Sequence, residues 1–396
     1  MPSPPSVGEA FFNLMAKYFF FFLSCVFFVA CQSDEPTPVP AEKPFTERCL
    51  LVWLAGDNDL SSEVSAKIAG LAAGYYGAEQ EDARILVYSD KRGAYPQITE
   101  INSRGELITI ETYPPLNSAS GETVERILSR MIELCPANSY GLIVFSHATG
   151  WLPQGAFSDP YNFASDTLSR SILDDNGEQL NTDVFANSIP LPPTGKYEYI
   201  VFENCLTAGI EIVYPLKEKA KHLLVSSAEV LAPGFKDIYP DALKYLLQQN
   251  ADVVAFAKAF FNHCNSLQDP YRSATVSVIN TAALDELAST LQGFYSIAPL
   301  EQYYIKDFQR FNRHEYTLFF DLEEAVETIA PDKLSAFRTA LGNAIEYSAA
   351  TPYFTKGQNY FLTINRHCGL TTYLPQKSFP DLNEEYRRTT WHKATH

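Results

Sequence analysis

Two residues of this sequence combine reactive side chains with suggestive positions. His147 directly follows the apolar run "GLIVFS" at 141–146, and Cys205 follows "YIVF" at 199–202 after only Glu203 and Asn204. They lie 58 residues apart (205 − 147). The thiolate is the attacking form of cysteine, and an imidazole can take a thiol proton near neutral pH. A Cys–His couple is therefore a nucleophile and its base, provided the fold brings the two together. Each residue alone has an ordinary reading: a cysteine after a strand packs as a small hydrophobe, and a loop histidine satisfies a hydrogen bond. Their arrival at successive strand ends carries the argument.

The elements that must position them are legible as apolar runs. "RCLLVWLA" at 48–55 is continuous and ends in "GDNDLSS"; such runs suit strands buried on both faces, as in parallel sheets. Ser61 or Ser62 can cap a following helix with Val64, Ile68 and Leu71 on one face. "RILVY" at 84–88 is a second strand, and "QITEI" with "LITIE" a hairpin pair. Ser118 or Ser120 opens a helix whose apolar residues Val124, Ile127, Leu128 and Met131 fall at helical spacing. The runs before His147 and Cys205 are the third and fourth major strands, and "HLLVSS" at 222–227 is the fifth. Alternation of strands and helices predicts an α/β fold with a mostly parallel sheet. In such sheets ligands bind beyond the carboxyl ends of the strands, where His147 and Cys205 would emerge about one strand spacing apart. The stretch 151–196 is rich in Gly, Pro, Asp and Asn, with a short helical hint near 182–188. From 241 onward helical patterns dominate, with "ATVSVI" and "GLTTYL" as further strands. The reading divides the chain into residues 1–31, a tether at 32–46, a core at 47–240, and a part at 241–396 that completes the sheet and adds helices.

Other chemistries find little support. The sequence has no GxxxxGK[ST], no GxGxxG and no GxSxG. His314-Glu315 begins like a zinc-binding helix, but Leu318 stands where the second histidine belongs. With a net charge of −17 over 396 residues, the surface would repel a phosphate backbone, so nucleic acid is not an expected partner. Cys49, Cys135, Cys205, Cys264 and Cys368 form no CxxC pair, and their spacing sets no disulfide framework. Nothing in the sequence fixes an oligomeric state.

The N-terminus carries an address. Residues 18–30, "YFFFFLSCVFFVA", are apolar, too short to span a bilayer, and flanked by Lys17, as in a signal peptide. The ending "FVAC" resembles the lipobox of bacterial lipoproteins, with Phe28 where Leu is usual, which makes Cys31 the expected lipid attachment site. The polar, Pro-rich segment after it reads as a flexible tether. Export and lipid anchoring at the outer membrane or cell surface are the expectation, with the membrane contacted only through the lipid.

Four blocks bring a family into view: "LLVWLAGDNDLS" at 50–61, "VFSHATGWLP" at 144–153, "YIVFENCLTAGIEIVYPLKEKAKHLLVSSAEVLAPGF" at 199–235 and "LNEEYRRTTWHKAT" at 382–395. Together they resemble the clostripain-like cysteine peptidases, family C11, of the clan that includes caspases, gingipains and legumain. The resemblance implies a caspase-like three-layer α/β sandwich with a helical C-terminal extension. It places the catalytic dyad on His147 and Cys205, with the backbone N–H groups of Ala148 and Cys205 as oxyanion donors. It implies an endopeptidase forming a thioester acyl-enzyme on protein or peptide substrates, cutting after Arg or Lys held by Glu203. Glu229 is a second acid near that pocket, also read as a solvated loop residue. Some relatives cut themselves between the dyad residues, where Arg170 is the better candidate. No cofactor or metal is expected, although some relatives use calcium and "DDNGE" at 174–178 offers oxygens without the full EF-hand spacing. The chain departs from the family at Ala148 for Gly, at Glu203-Asn204 for Asp-Ala, at Thr207, and at Pro215 in the expected helix. Ala148, Glu203, Asn204 and Pro215 motivate a rival reading, a catalytically degenerate surface lipoprotein that binds peptide or protein; a thiol acyltransferase on the same scaffold is a third reading.

Overall fold

Strand β1 (Thr46–Gly56) alternates its side chains between two separate cores. Leu51, Trp53 and Ala55 enter one apolar cluster, and Leu50, Val52 and Leu54 enter the other. A strand whose two faces are both buried needs apolar residues at every position, which is why this run does not alternate with polar ones. Each fully buried Leu or Val contributes about 1.5–3 kcal/mol, so a charge at Leu51 or Val52 would undo the layer it enters.

The computed structural model describes residues 45–77, 82–163 and 171–396, all within one compact unit. The signal-like stretch with Cys31, nearly all of the tether, and Arg170 lie outside the described residues. β1 heads a nine-stranded sheet completed by β2 (Ala83–Lys91), β3 (Gln97–Ile101), β4 (Leu107–Thr112), β5 (Ala137–Phe145), β8 (Tyr197–Phe202), β9 (Ala220–Val225), β10 (Thr275–Asn280) and β12 (Ile345–Ala350). The intervening β6 (Leu173–Asp175) and β7 (Glu178–Leu180) form a separate hairpin, and β11 (Phe320–Asp321) pairs with Thr371–Thr372. The sheet order is β12-β10-β9-β8-β5-β1-β2-β3-β4. Its centre, β9 through β2, is parallel, and both flanks are antiparallel.

Helices cover both faces. Helix α1 (Ser61–Gly77) and the segment 253–266 pack on the face of Leu50 and Val52. Helix α2 (Gly121–Leu134), capped by Ser120, packs on the face of Leu51 and Trp53 through Val124, Ile127, Leu128 and Met131. The result is a three-layer α/β sandwich. Cys49 of β1 and Cys135, just past α2, form a disulfide buried between sheet and helix. The scattered cysteines gave no framework because partners 86 residues apart meet only through the sheet. In the chain-entropy account a loop of that length stabilises the fold by about 4–5 kcal/mol.

Several elements differ from the sequence reading. "DALKYLLQQ" forms two single turns, Tyr239–Ala242 and Lys244–Leu247, rather than one helix. "GLTTYL" contributes only the two-residue strand Thr371–Thr372. The expected helix after Cys205 is one turn, Ile210–Val213, followed by a 3-10 segment at Tyr214–Glu218. Pro215 stands at the start of that segment, where its missing N–H removes no helical hydrogen bond.

Candidate active site

β5 and β8 are parallel neighbours whose register pairs Val144 with Phe202. His147 and Cys205 each lie three residues beyond that pair, so both leave the sheet at the same level of its carboxyl edge. Parallel order makes this possible, because neighbouring strands then end on the same side. The two side chains line one cavity of about 80 Å³, together with Leu60, Phe145, Val230 and Glu203.

The turn after Cys205 is tight. Leu206 is fully buried at φ +57°, a left-handed conformation that costs a non-glycine residue roughly 1–2 kcal/mol. Its N–H donates to Ala228 O (3.0 Å), and Ala208 N–H donates to Ser226 O (2.9 Å). Asn204 is buried and donates from Nδ2 to Ile172 O (3.0 Å). That bond supplies the reason for Asn204 that the sequence did not: the amide ties the cysteine loop to the chain entering the β6–β7 hairpin. Burial pushes the Cys205 thiol up to about 12; a backbone hydrogen bond at Val230 pulls the other way, and the Glu229 charge adds to the rise. At neutral pH Cys205 is therefore a thiol in this conformation.

His147 Nε2 lies 2.5 Å from Asp59 Oδ1. This hydrogen bond holds the Asp59 carboxyl below the usual aspartate range. Asp59 comes from the "GDND" turn at the carboxyl end of β1, the strand beside β5. Asn58 fixes that turn: its Oδ1 accepts from Leu60 N (2.9 Å) and its Nδ2 donates to Asp174 O (3.0 Å). Asp59 was missed in the sequence, although its signal was present as an acid at a third strand end on the same edge. Ala148 and Cys205, the two expected oxyanion donors, give their backbone N–H groups to no acceptor among the described residues. Ala148 is not among the positive-φ residues, so alanine fits where relatives carry glycine; the left-handed position nearby is Gly150.

The expected acids of the substrate pocket are already partnered. Glu203 is buried, and its Oε1 meets Lys67 Nζ at 2.5 Å while also accepting from Phe235 N–H. Its Oε2 accepts from Tyr239 OH at 3.0 Å. Glu203 thus lines the cavity without offering a free charge, which corrects the expectation of an open carboxylate for a substrate cation. Glu229 is no solvated loop acid either. Arg313 grips it with two hydrogen bonds, 2.5 Å and 3.1 Å, at the floor of a neighbouring cavity of about 360 Å³ that His314 also lines. Lys67 was missed as well. Its clue was a lysine between Val64 and Ile68, within the apolar stripe of α1, where a charge needs a buried partner.

The "DDNGE" run does not fit a calcium ion. Asn176 (φ +50°) and Gly177 (φ +88°) make the two-residue turn of the β6–β7 hairpin. Asp175 turns inward to accept from Ser118 N–H, and burial raises it to about 7. Among the described residues no group of three or more His, Cys, Asp or Glu is arranged to hold a metal ion.

No curated protein matches the chain. Solved structures do. An inactive zymogen of a C11 protease from Parabacteroides distasonis is 26% identical, with a TM-score of 0.76 over 89% of this chain and 99% of that one. A secreted C11 cysteine protease from Bacteroides thetaiotaomicron shares the fold at 22% identity and a TM-score of 0.77, covering 89% of this chain and 100% of that one. A second structure of such a protease from that organism, bound to an irreversible peptide inhibitor, superimposes with a TM-score of 0.74 at 22% identity, over 88% and 98% of the two chains. The clostripain family profile spans residues 52–366, from within β1 through the turn that carries Asp59 and both strand ends that carry His147 and Cys205, and the chain therefore belongs to the clostripain family of C11 cysteine peptidases.

Proposed function

We propose that this protein is an exported cysteine endopeptidase with Cys205 as nucleophile and His147 as base. The observation that carries the reading is the shared cavity at the carboxyl edge of β5 and β8, reached by both side chains in matched register. An Nε2–H donated to Asp59 leaves Nδ1 of His147 with the lone pair that accepts the Cys205 proton, which makes Asp59 a positioning residue. The resting thiol loses its proton to His147 as its sulfur bonds to the scissile carbonyl carbon. The carbonyl oxygen gains the negative charge and is held by the N–H groups of Ala148 and Cys205. The C–N bond then breaks, His147 returns the proton to the leaving amine, and a thioester remains. Water gives a proton to His147 and its oxygen to the thioester, and Cys205 leaves as the thiol.

Export and lipidation at Cys31 belong to the same reading. A buried Cys49–Cys135 disulfide supports an oxidising compartment. The lipobox-like ending at Cys31 supports a lipid attachment; among the described residues no helix is long and apolar enough to cross a membrane. Replacing Cys31 with Ser should release the protein from the membrane fraction. Cleavage at Arg170 is proposed as its maturation step, read by N-terminal sequencing of the purified protein and of Arg170→Ala. Preference for Arg or Lys has Glu203 in its favour and the Lys67 ion pair against it.

Turnover of a mixed peptide library should fall by at least about 10³-fold in Cys205→Ala and in His147→Ala. Turnover that survives Cys205→Ala would remove the nucleophile assignment. A chain that neither turns over peptides nor is labelled by a thiol-reactive peptidyl ketone would instead support the non-enzymatic peptide-binding reading, which the neutral thiol and the occupied pocket floor favour.

A further inference from the structure

The floor of the cavity beside Cys205 holds a complete ion pair. Lys67 and Glu203 are both buried, with Nζ and Oε1 at 2.5 Å. Lys67 Nζ also donates to Pro233 O (3.1 Å) and sits 4.3 Å from the centre of the Phe145 ring. Glu203 accepts from three donors: Lys67 and Phe235 N–H both occupy Oε1, and Tyr239 OH reaches Oε2. A guanidinium fork needs two free carboxylate acceptors, and this carboxylate has no such edge left. The wall is closed too. At Gly234 (φ +64°) a Cβ would lie 2.1 Å from Glu203 Oε1 and 3.1 Å from Lys67 Nζ, so only glycine fits against the pair.

We infer that Lys67 determines the specificity of this pocket: its ammonium occupies the place of a substrate cation on Glu203, so the pocket takes a short uncharged side chain and turns away Arg and Lys. The inference rests on the peptidase reading and reverses its expected substrate class. Space supports it, because the cavity is small, about 80 Å³, and the Lys67 ammonium already fills the position against Glu203. Charge supports it, because Glu203 and Lys67 sum to zero. A cation reaching the floor would lose its water without a free opposite charge there to replace it. Apolar walls from Leu60, Phe145 and Val230 match an aliphatic side chain. Glu63, partly exposed, is the other carboxylate on the lining.

The test uses peptidyl acyloxymethyl ketones on the full chain, with Ala, Val, Lys or Arg next to the reactive ketone, and Cys205→Ala as the blank. The Ala and Val probes should label Cys205 at least 10-fold faster than the Arg and Lys probes. Lys67→Met, which leaves Glu203 charged, should shift that ratio at least 10-fold toward Arg and Lys. Because that variant strands a buried charge, Lys67→Met/Glu203→Gln is tested beside it; its floor is again neutral, and it should keep the wild-type ratio. Faster Arg or Lys labelling of the unaltered chain overturns the inference, and loss of that preference in Glu63→Gln would identify Glu63 as the cation site instead. A double variant that prefers Arg or Lys also overturns it. If no probe labels a chain whose Cys205 reacts with iodoacetamide, the peptidase reading itself falls, and the pocket inference with it.

Discussion

Two close polar pairs flank the candidate site at the same separation and in opposite surroundings. Lys67 and Glu203 meet at 2.5 Å with both side chains 1% exposed, whereas His147 and Asp59 meet at 2.5 Å with side chains 40% and 81% exposed. Distance alone would rank them equal. Burial separates them, because water and salt screen the exposed pair while nothing replaces either partner of the buried one. The floor pair is thus a fixed part of the core, and the mouth pair is a steering contact that can open and re-form as a proton moves. Specificity is placed on the rigid pair and proton transfer on the exchangeable one.

The largest break in that comparison comes from the floor. Lys67→Met should lower stability by about 3–5 kcal/mol, because it leaves Glu203 buried and uncompensated. Lys67→Met/Glu203→Gln should recover most of that loss, and urea midpoints of the two variants read the difference. Equal stabilities for the single variant and the wild type would mean that the pair is hydrated in solution.

A buried carboxylate without a cation sharpens the contrast. Glu211, six residues after Cys205, is fully enclosed; its Oε1 accepts from Thr372 Oγ1 (2.8 Å) and Tyr373 N–H (3.0 Å), while Oε2 meets no hydrogen-bond partner among the described residues. Burial raises its pKa from 4.5 to about 7. The folded state therefore binds a proton that the unfolded chain has released. The associated stability is complete below about pH 4.5 and is lost as pH rises through about 7, on the order of 3 kcal/mol for this group. Asp175, raised to about 7 by burial, acts in the same direction. Glu211→Gln should flatten the fall in Tm between pH 5 and pH 8; an unchanged slope would show that Glu211 is ionised in the fold.

Effects at the mouth should be smaller. Asp59→Asn should reduce kcat about 3–10-fold with Tm unchanged, as expected for a residue that orients the base rather than reacting. A loss of several hundred-fold would make Asp59 part of the proton path. The smallest effect is ionic. Raising salt from about 0.05 M to about 0.5 M should weaken the Asp59–His147 contact and lower kcat by less than twofold, while the urea midpoint contribution of the Lys67–Glu203 pair holds.

Much of the fold was legible because its code is local. Runs such as "RCLLVWLA" and "GLIVFS" mark doubly buried strands without reference to anything distant, and the period of Val124, Ile127, Leu128 and Met131 marks a helix face. "DALKYLLQQ" misled because its apolar residues fit one continuous helix, while the packed chain divides into two single turns that meet at Leu243. At the site, the sequence marked His147 and Cys205 by their strand ends, and it offered Glu203 and Glu229 as free acids. It could not show that these acids were taken, since Lys67 lies 136 residues from Glu203 and Arg313 lies 84 from Glu229.

By itself, then, the sequence determined the alternation of strands and helices, the parallel core, and the delivery of a thiol and an imidazole to one sheet edge. All of these follow from short-range patterns of apolar residues and the breaks between them. Only the tertiary structure decided which side chains meet: Lys67 with Glu203, Arg313 with Glu229, Asp59 with His147, and Cys49 with Cys135. Those pairings depend on strand register and on which way α1 faces the sheet. Both are set by packing the two cores at once, and no local spacing encodes them.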